Sequence, residues 1–251
     1  MGYFKDMINI DINCDIGEGI GNEAQLLPLI TSCNIACGGH AGDTATMMKV
    51  AFLAKEHKVL IGAHPSYPDR ENFGRTSIKM AKEELKKSIL AQIDDLNTVL
   101  KSLGLALNHI KPHGALYNDV ARDRELALVF LDSVEKYKNE VFLYVPYDSN
   151  IAEEALRLGF QIKYEAFADR NYNEDLSLVS RKEPMALIQD PKAVKDHLLY
   201  MVTKGAVLTL SGKAVKIKAD TYCIHGDSPS TFQILMYLSK HLPKNQILIK
   251  K

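Results

Sequence analysis

Along residues 8–13, apolar Ile8, Ile10 and Ile12 alternate with polar Asn9, Asp11 and Asn13. That period of two predicts a strand with Asp11, Asn13 and, one step further, Asp15 on a shared face. Short apolar runs at 32–37, 59–63, 105–107 (with Ile110 beyond), 141–145, 161–165 and 221–224 predict six more strands. Between them the period lengthens to three and four. Met47, Val50, Ala51 and Ala54 share a helical face behind Asp43, a suitable cap, and six apolar residues from Leu85 to Leu103 mark a helix over 79–103 that stops at Gly104. Further helices are predicted over 122–137, from Asp148 or Ser149 to Gly159, from Asp190-Pro191 to Gly205, and from Ser228-Pro229 to about His241. Residues 206–210 and 214–217 read as a small hairpin, and 246–249 as one further strand.

Strands alternating with helices imply a parallel sheet with right-handed crossovers. No internal repeat, low-complexity tract or linker interrupts the chain, so residues 1–251 read as one domain. An open doubly wound sheet and a closed barrel both fit the alternation. Polar residues follow strands one, two, three, four, six and seven, and only a barrel collects all of them at one mouth. The preferred fold is therefore an α/β, irregular seven-stranded (β/α) barrel of the TIM-barrel type.

The strand ends carry the chemistry. Lys111-Pro112-His113-Gly114 follows the fourth strand, with Tyr117 close behind; His40, His64 and His225 each stand just past a short apolar run. The first strand leads into Asp15 and the glycine-rich segment around Glu18, a long polar excursion after the third includes Arg75, and Glu165, Asp169 and Arg170 end the sixth. Imidazoles with carboxylates suit a divalent metal, for which His40, His64 and His225 are the candidate ligands, although no H-x-x-x-H or H-E-x-x-H spacing occurs. The same residues also suit a metal-free acid–base set acting on a small amide, with Asp15 or His113 as base and Lys111 polarising an oxygen. The glycine-rich segment matches neither a dinucleotide fingerprint nor a Walker motif, and no G-x-S-x-G elbow is present.

Composition narrows the classes. With 31 basic and 31 acidic residues the net charge is zero, which draws the chain to neither nucleic acid nor anionic membrane. Four cysteines without C-x-x-C pairing exclude a zinc ribbon or disulfide scaffold, and Cys33 and Cys37, flanking a strand, read as buried thiols in a reducing compartment. The first residues lack an apolar signal core, Asp6 stands where a myristoylation pattern at Gly2 needs Ser or Thr, and no run is long enough to span a bilayer; a cytoplasmic protein is expected.

Six stretches in order, Asn13-Cys-Asp-Ile-Gly-Glu18, Asn34-Ile-Ala-Cys-Gly-Gly-His-Ala-Gly-Asp43, Gly62-Ala-His-Pro-Ser-Tyr-Pro-Asp69, Lys111-Pro-His-Gly-Ala-Leu-Tyr-Asn118, Glu165-Ala-Phe-Ala-Asp-Arg-Asn-Tyr172 and Thr221-Tyr-Cys-Ile-His-Gly-Asp227, resemble the motifs of the LamB/YcsF family. They span almost the whole chain. The resemblance implies a barrel related to the glycoside hydrolase and carbohydrate deacetylase barrels. It also implies the A subunit of a 5-oxoprolinase, a hydrolase that opens the lactam of 5-oxo-L-proline to L-glutamate with ATP and is completed by subunits B and C. Asp15, Lys111, His113 and Glu165 are then the catalytic candidates, and Asn13, Glu18, Arg75, Tyr117, Asp169, Arg170 and Asp227 the candidates for binding substrate or nucleotide. In that scheme Asp15 or His113 activates water while Lys111 and Arg170 neutralise phosphoryl or carboxylate charge. The sequence departs from the family pattern at Gly39, usually Phe, at Thr44, often Pro, and at Leu176 and Met185, where glycines are common. Two other classes remain open: a stand-alone metal-dependent amidohydrolase or deacetylase, and a non-catalytic substrate-binding subunit of a hydrolase complex.

Overall fold

The computed structural model describes residues 7–251; the reading at Gly2 and Asp6 lies outside them. Six parallel strands follow in order: β1 (Ile8–Ile16), β2 (Ser32–Ala36), β3 (Leu60–His64), β4 (His109–Ile110), β5 (Phe142–Pro146) and β6 (Ile162–Phe167). An antiparallel hairpin, β7 (Ala206–Leu208) and β8 (Ala214–Lys216), precedes β9 (Thr221–Cys223). β9 pairs in parallel with β6 on one side and β1 on the other, which closes a seven-stranded barrel. A last strand, β10 (Ile247–Ile249), lies parallel to the opening residues of β1, Ile8↔Ile247 to Ile10↔Ile249.

The alternation in β1 does what its period requires. Ile12, Cys14 and Ile16 pack in the apolar core, while Asp11, Asn13 and Asp15 are buried among polar side chains of other strands. The interior of this barrel is thus a hydrogen-bonded stack rather than the branched apolar filling usual in such barrels. Ser32 and Thr221 both donate to Asp11 Oδ1, Asn13 donates to Thr221 and to Glu165 Oε1, and Asn34 donates to Asn13 and Asp15 Oδ1. Apart from Glu165 Oε2, the side chains named here are hydrogen-bonded to one another, and such bonding rigidifies a core.

The helices are α1 (Glu23–Leu26), α2 (Thr44–Glu56), α3 (Lys82–Ser102), α4 (Gly114–Arg122), α5 (Arg124–Ser133), α6 (Asn150–Arg157), α7 (Pro191–Lys204) and α8 (Thr231–His241). Asp43, Ser149 and Asp190 cap α2, α6 and α7 as expected, each accepting from the amide three residues on. Two expectations change. Residues 105–107 are not a strand: Leu105 N–H still bonds back to Leu100 at the end of α3, and bonding to the neighbouring strands starts only at Asn108, just before β4. The helix expected over 122–137 begins instead at Gly114 and breaks at Asp123, whose carboxylate caps α5 through Leu126 N–H. Lys111 and His113 therefore stand between a strand and a helix, and Tyr117 lies one turn into that helix. No helix among the described residues is long and apolar enough to cross a membrane.

Candidate active site

Four donor groups meet at the end of the first four strands. Glu18 follows β1 between Gly17 and Gly19, both at positive φ; His40 follows β2, His64 ends β3, and His113 precedes α4. Their ligand atoms lie within 4.8 Å of one another and all four residues are buried. His40 Nε2 is 3.0 Å from Glu18 Oε1, His113 Nδ1 is 2.9 Å from His64 Nε2, and the His40 and His113 rings stack with centroids 3.6 Å apart. Burial, with the neighbouring imidazoles, keeps His40 and His113 well below the usual histidine range. Burial and the Asp15 charge push Glu18 well above the usual carboxylate range. His225 is not in this group, contrary to the sequence expectation. Its Nδ1 lies 3.0 Å from Asp169 Oδ1, and its ligand atom groups with those of Asp15 and Cys223.

Beside this group Lys111 is 2% exposed. Its Nζ donates to Asp15 Oδ1 at 2.9 Å, lies 2.9 Å from Glu165 Oε1, and reaches Cys223 Sγ at 3.1 Å and Asn13 Oδ1 at 3.3 Å. An ammonium has three hydrogens, so this one is saturated by protein acceptors and organises the two carboxylates. Burial alone would lower its pKa, but Asp15 and Glu165 outweigh that and hold it well above the usual lysine value, so it stays charged. Burial alone would raise Asp15; His64 and Lys111 hold it well below its usual value, so it stays ionised. Glu165 Oε2 and the Tyr117 hydroxyl are buried with no hydrogen-bond partner among the described residues.

A cavity of about 540 Å³ is lined by the buried or half-buried Asp15, His64, Lys111, His113 and His225 and by the more exposed Arg75, Arg122, Arg181 and Lys182. Tyr117 and Phe167 also line a smaller chamber of about 160 Å³ that touches Glu165. Arg75 and Arg181 both pair with Asp227. Arg170 donates to the Ala186 and Val179 carbonyls, so its guanidinium clasps the loop after β6 even though it also reaches the cavity wall. In that loop Leu176 takes φ 62°, the left-handed region where the family pattern has glycine. At Gly39 the space a side chain would need is filled by Gln92 and Ser66. Asp11 lies deep in the barrel on Ser32 and Thr221, below the site.

Sequence reasoning missed His109, Arg122, Arg181 and Lys182. His109 is fully buried, bonded through Nε2 to Asn34 Oδ1 and stacked on Tyr144. Counting back by two from Lys111 would have put it on the interior face. The three cations had no comparable signal, because they lie on helix and loop surfaces with no strand periodicity.

The model of the LamB/YcsF family matches residues 10–251. The chain belongs to the LamB/YcsF family. Within it, the 5-oxoprolinase A subunit of Thermococcus sibiricus is 42% identical over 250 residues, covering 96% of this chain and 97% of that protein. The 5-oxoprolinase A subunit of Acinetobacter baumannii is 40% identical over 246 residues with the same coverage. The crystal structure of the lactam utilization protein from Thermus thermophilus superposes with a TM-score of 0.90 at 35% identity, covering 97% of this chain and 99% of that one. Outside the family, the peptidoglycan deacetylase PdaC from Bacillus subtilis reaches a TM-score of 0.50 at 11% identity, covering 97% of this chain and 87% of that one, a likeness of fold alone.

Proposed function

We propose that this LamB/YcsF protein is the A subunit of an ATP-dependent 5-oxoprolinase and that, with subunits B and C, it opens the lactam of 5-oxo-L-proline to L-glutamate. The observation that carries the reading is the buried Asp15–Lys111–Glu165 cluster, whose Asp15 and Lys111 line a cavity that four cations also line. The substrate carboxylate and a phosphoryl group are both anionic, and those four cations match them. The names of the relatives point the same way.

A lactam is a resonance-stabilised amide, so its carbonyl must be activated before water adds. Transfer of the ATP γ-phosphoryl group to the carbonyl oxygen does this and releases ADP. Water then adds at that carbon, the C–N bond breaks with the nitrogen taking a proton, and a second water displaces phosphate. Asp15 is the proton acceptor for the attacking water: it stays ionised, and its Oδ2 takes no protein hydrogen bond among the described residues. Tyr117, whose phenol is pushed well up by burial and by Glu165, keeps its proton and supplies it toward the departing nitrogen. Glu165 Oε2 accepts the ring N–H. Lys111 acts through both carboxylates, and Arg170 through the loop it clasps.

The test is glutamate and phosphate release from 5-oxo-L-proline and ATP by the complex reconstituted with subunits B and C. Asp15→Asn is expected to lower kcat by at least about 100-fold, the scale of a lost general base. A variant retaining wild-type kcat would refute the assignment. A second reading, a stand-alone metal-dependent amidohydrolase, is favoured by the Glu18, His40, His64 and His113 cluster. It requires lactam turnover by this chain alone, without ATP.

A further inference from the structure

We propose that Glu18, His40, His64 and His113 enclose a resident divalent transition-metal ion of the zinc class. His64 Nδ1 lies 2.8 Å from the backbone oxygen of Lys111, and His113 Nε2 lies 2.9 Å from that of Phe73. A carbonyl oxygen only accepts, so both of these nitrogens carry hydrogen. A neutral imidazole has only one, which leaves His64 Nε2 and His113 Nδ1 as two lone pairs facing each other at 2.9 Å. Two acceptors at that separation repel unless a positive charge lies between or beside them. The carbonyl contact on the remote nitrogen is also what fixes the tautomer and aim of a metal-bound histidine.

The spacing agrees. Edges between donor atoms run from 2.9 Å (His64 to His113) through 3.0 Å (His40 to Glu18) and 3.4 Å (His113 to Glu18) to 4.0 Å (His64 to Glu18). Bonds of about 2.0–2.1 Å in a tetrahedron give edges of about 3.3 Å, within that spread. Three imidazole nitrogens and one carboxylate oxygen are the donor set of a borderline dication rather than of calcium or magnesium, which prefer oxygen. His64 and His113 also line the large cavity, so an ion held here is reachable from the mouth and can polarise an oxygen bound there.

Occupancy does not depend on the reaction proposed above and is read without turnover. Protein stripped with a chelator and titrated with Co(II) is expected to take up one equivalent per chain, with visible d–d bands of a low-coordinate site and a rise in Tm. His40→Ala and Glu18→Gln are expected to bind Co(II) at least about 100-fold more weakly, beyond the loss typical of outer partners, whereas His225→Asn retains wild-type affinity. The rival occupant of the gap is a shared proton. Wild-type protein showing no d–d band and no Tm change with Co(II), Zn(II), Mn(II) or Ni(II), together with a 15N spectrum showing one imidazolium in the cluster, overturns the proposal. No metal uptake by a complex that opens 5-oxo-L-proline would remove the metal and leave the function standing; metal uptake without turnover would do the reverse.

Discussion

Gly62 lacks a side chain in the place that the His109 imidazole occupies: a Cβ on Gly62 would overlap the ring. The two are register partners across β3 and β4. The ring cannot swing aside, because it stacks on Tyr144 at 3.9 Å and bonds to Asn34. Gly62→Ala is therefore expected to cost about 1–3 kcal/mol or more, the usual range for an overfilled core. Guanidinium denaturation measures it. The double variant G62A/H109A should be less destabilised than the sum of its two singles, and simple additivity would show that the ring is not the obstacle.

Lys111 neutralises two carboxylates that have almost no access to water. Lys111→Met leaves Asp15 and Glu165 buried without their cation, for which the expected loss is about 3–5 kcal/mol. Combining K111M with D15N and E165Q should restore much of that loss while activity stays absent. Equal unfolding midpoints for wild type and K111M would show that the charge is solvated in solution.

Asp169 gives the protein part of its acid sensitivity. Burial alone would raise its pKa; the His225 charge and the hydrogen bonds from the His225 ring and backbone amide outweigh this and hold it below the usual value. A carboxylate lowered on folding adds stability above its unfolded pKa of about 3.9, and that contribution is lost as the pH falls through the folded value. Wild-type Tm should thus fall steeply below about pH 4. Asp169→Asn should be less stable at pH 7 and should show a shallower acid limb. Parallel Tm profiles between pH 7 and pH 3 would assign the acid limb to other carboxylates.

The β/α alternation, the caps at Asp43, Ser149 and Asp190, and the inward face of β1 were legible because each depends on local periodicity or on a side chain bonding its own backbone. The breaks at 105–107 and at Asp123 were not, since they depend on where α3 lets go of the chain and on the turn that Gly114 permits at φ 57°. The grouping of histidines was half legible. In a barrel whose strands run in chain order, the ends of β1 to β4 are neighbours, so Glu18, His40, His64 and His113 follow from the fold already inferred. His225, arriving after β9, falls beside β6 and Asp169. Counting imidazoles without their position around the ring put it in the wrong set.

Closure of the ring by the short strand Thr221–Cys223, hydrogen-bonded to Glu165–Phe167 on one flank and Asp11–Asn13 on the other, bears on biosynthesis. A nascent chain that has not yet released residue 223 from the ribosome presents an open sheet with raw edges on β1 and β6. Asp11, Asp15, Lys111 and Glu165 are then unsheltered. Until Thr221–Cys223 is in place those edges are open to pairing with another chain, so closure by one three-residue strand is also what protects the sheet from aggregation.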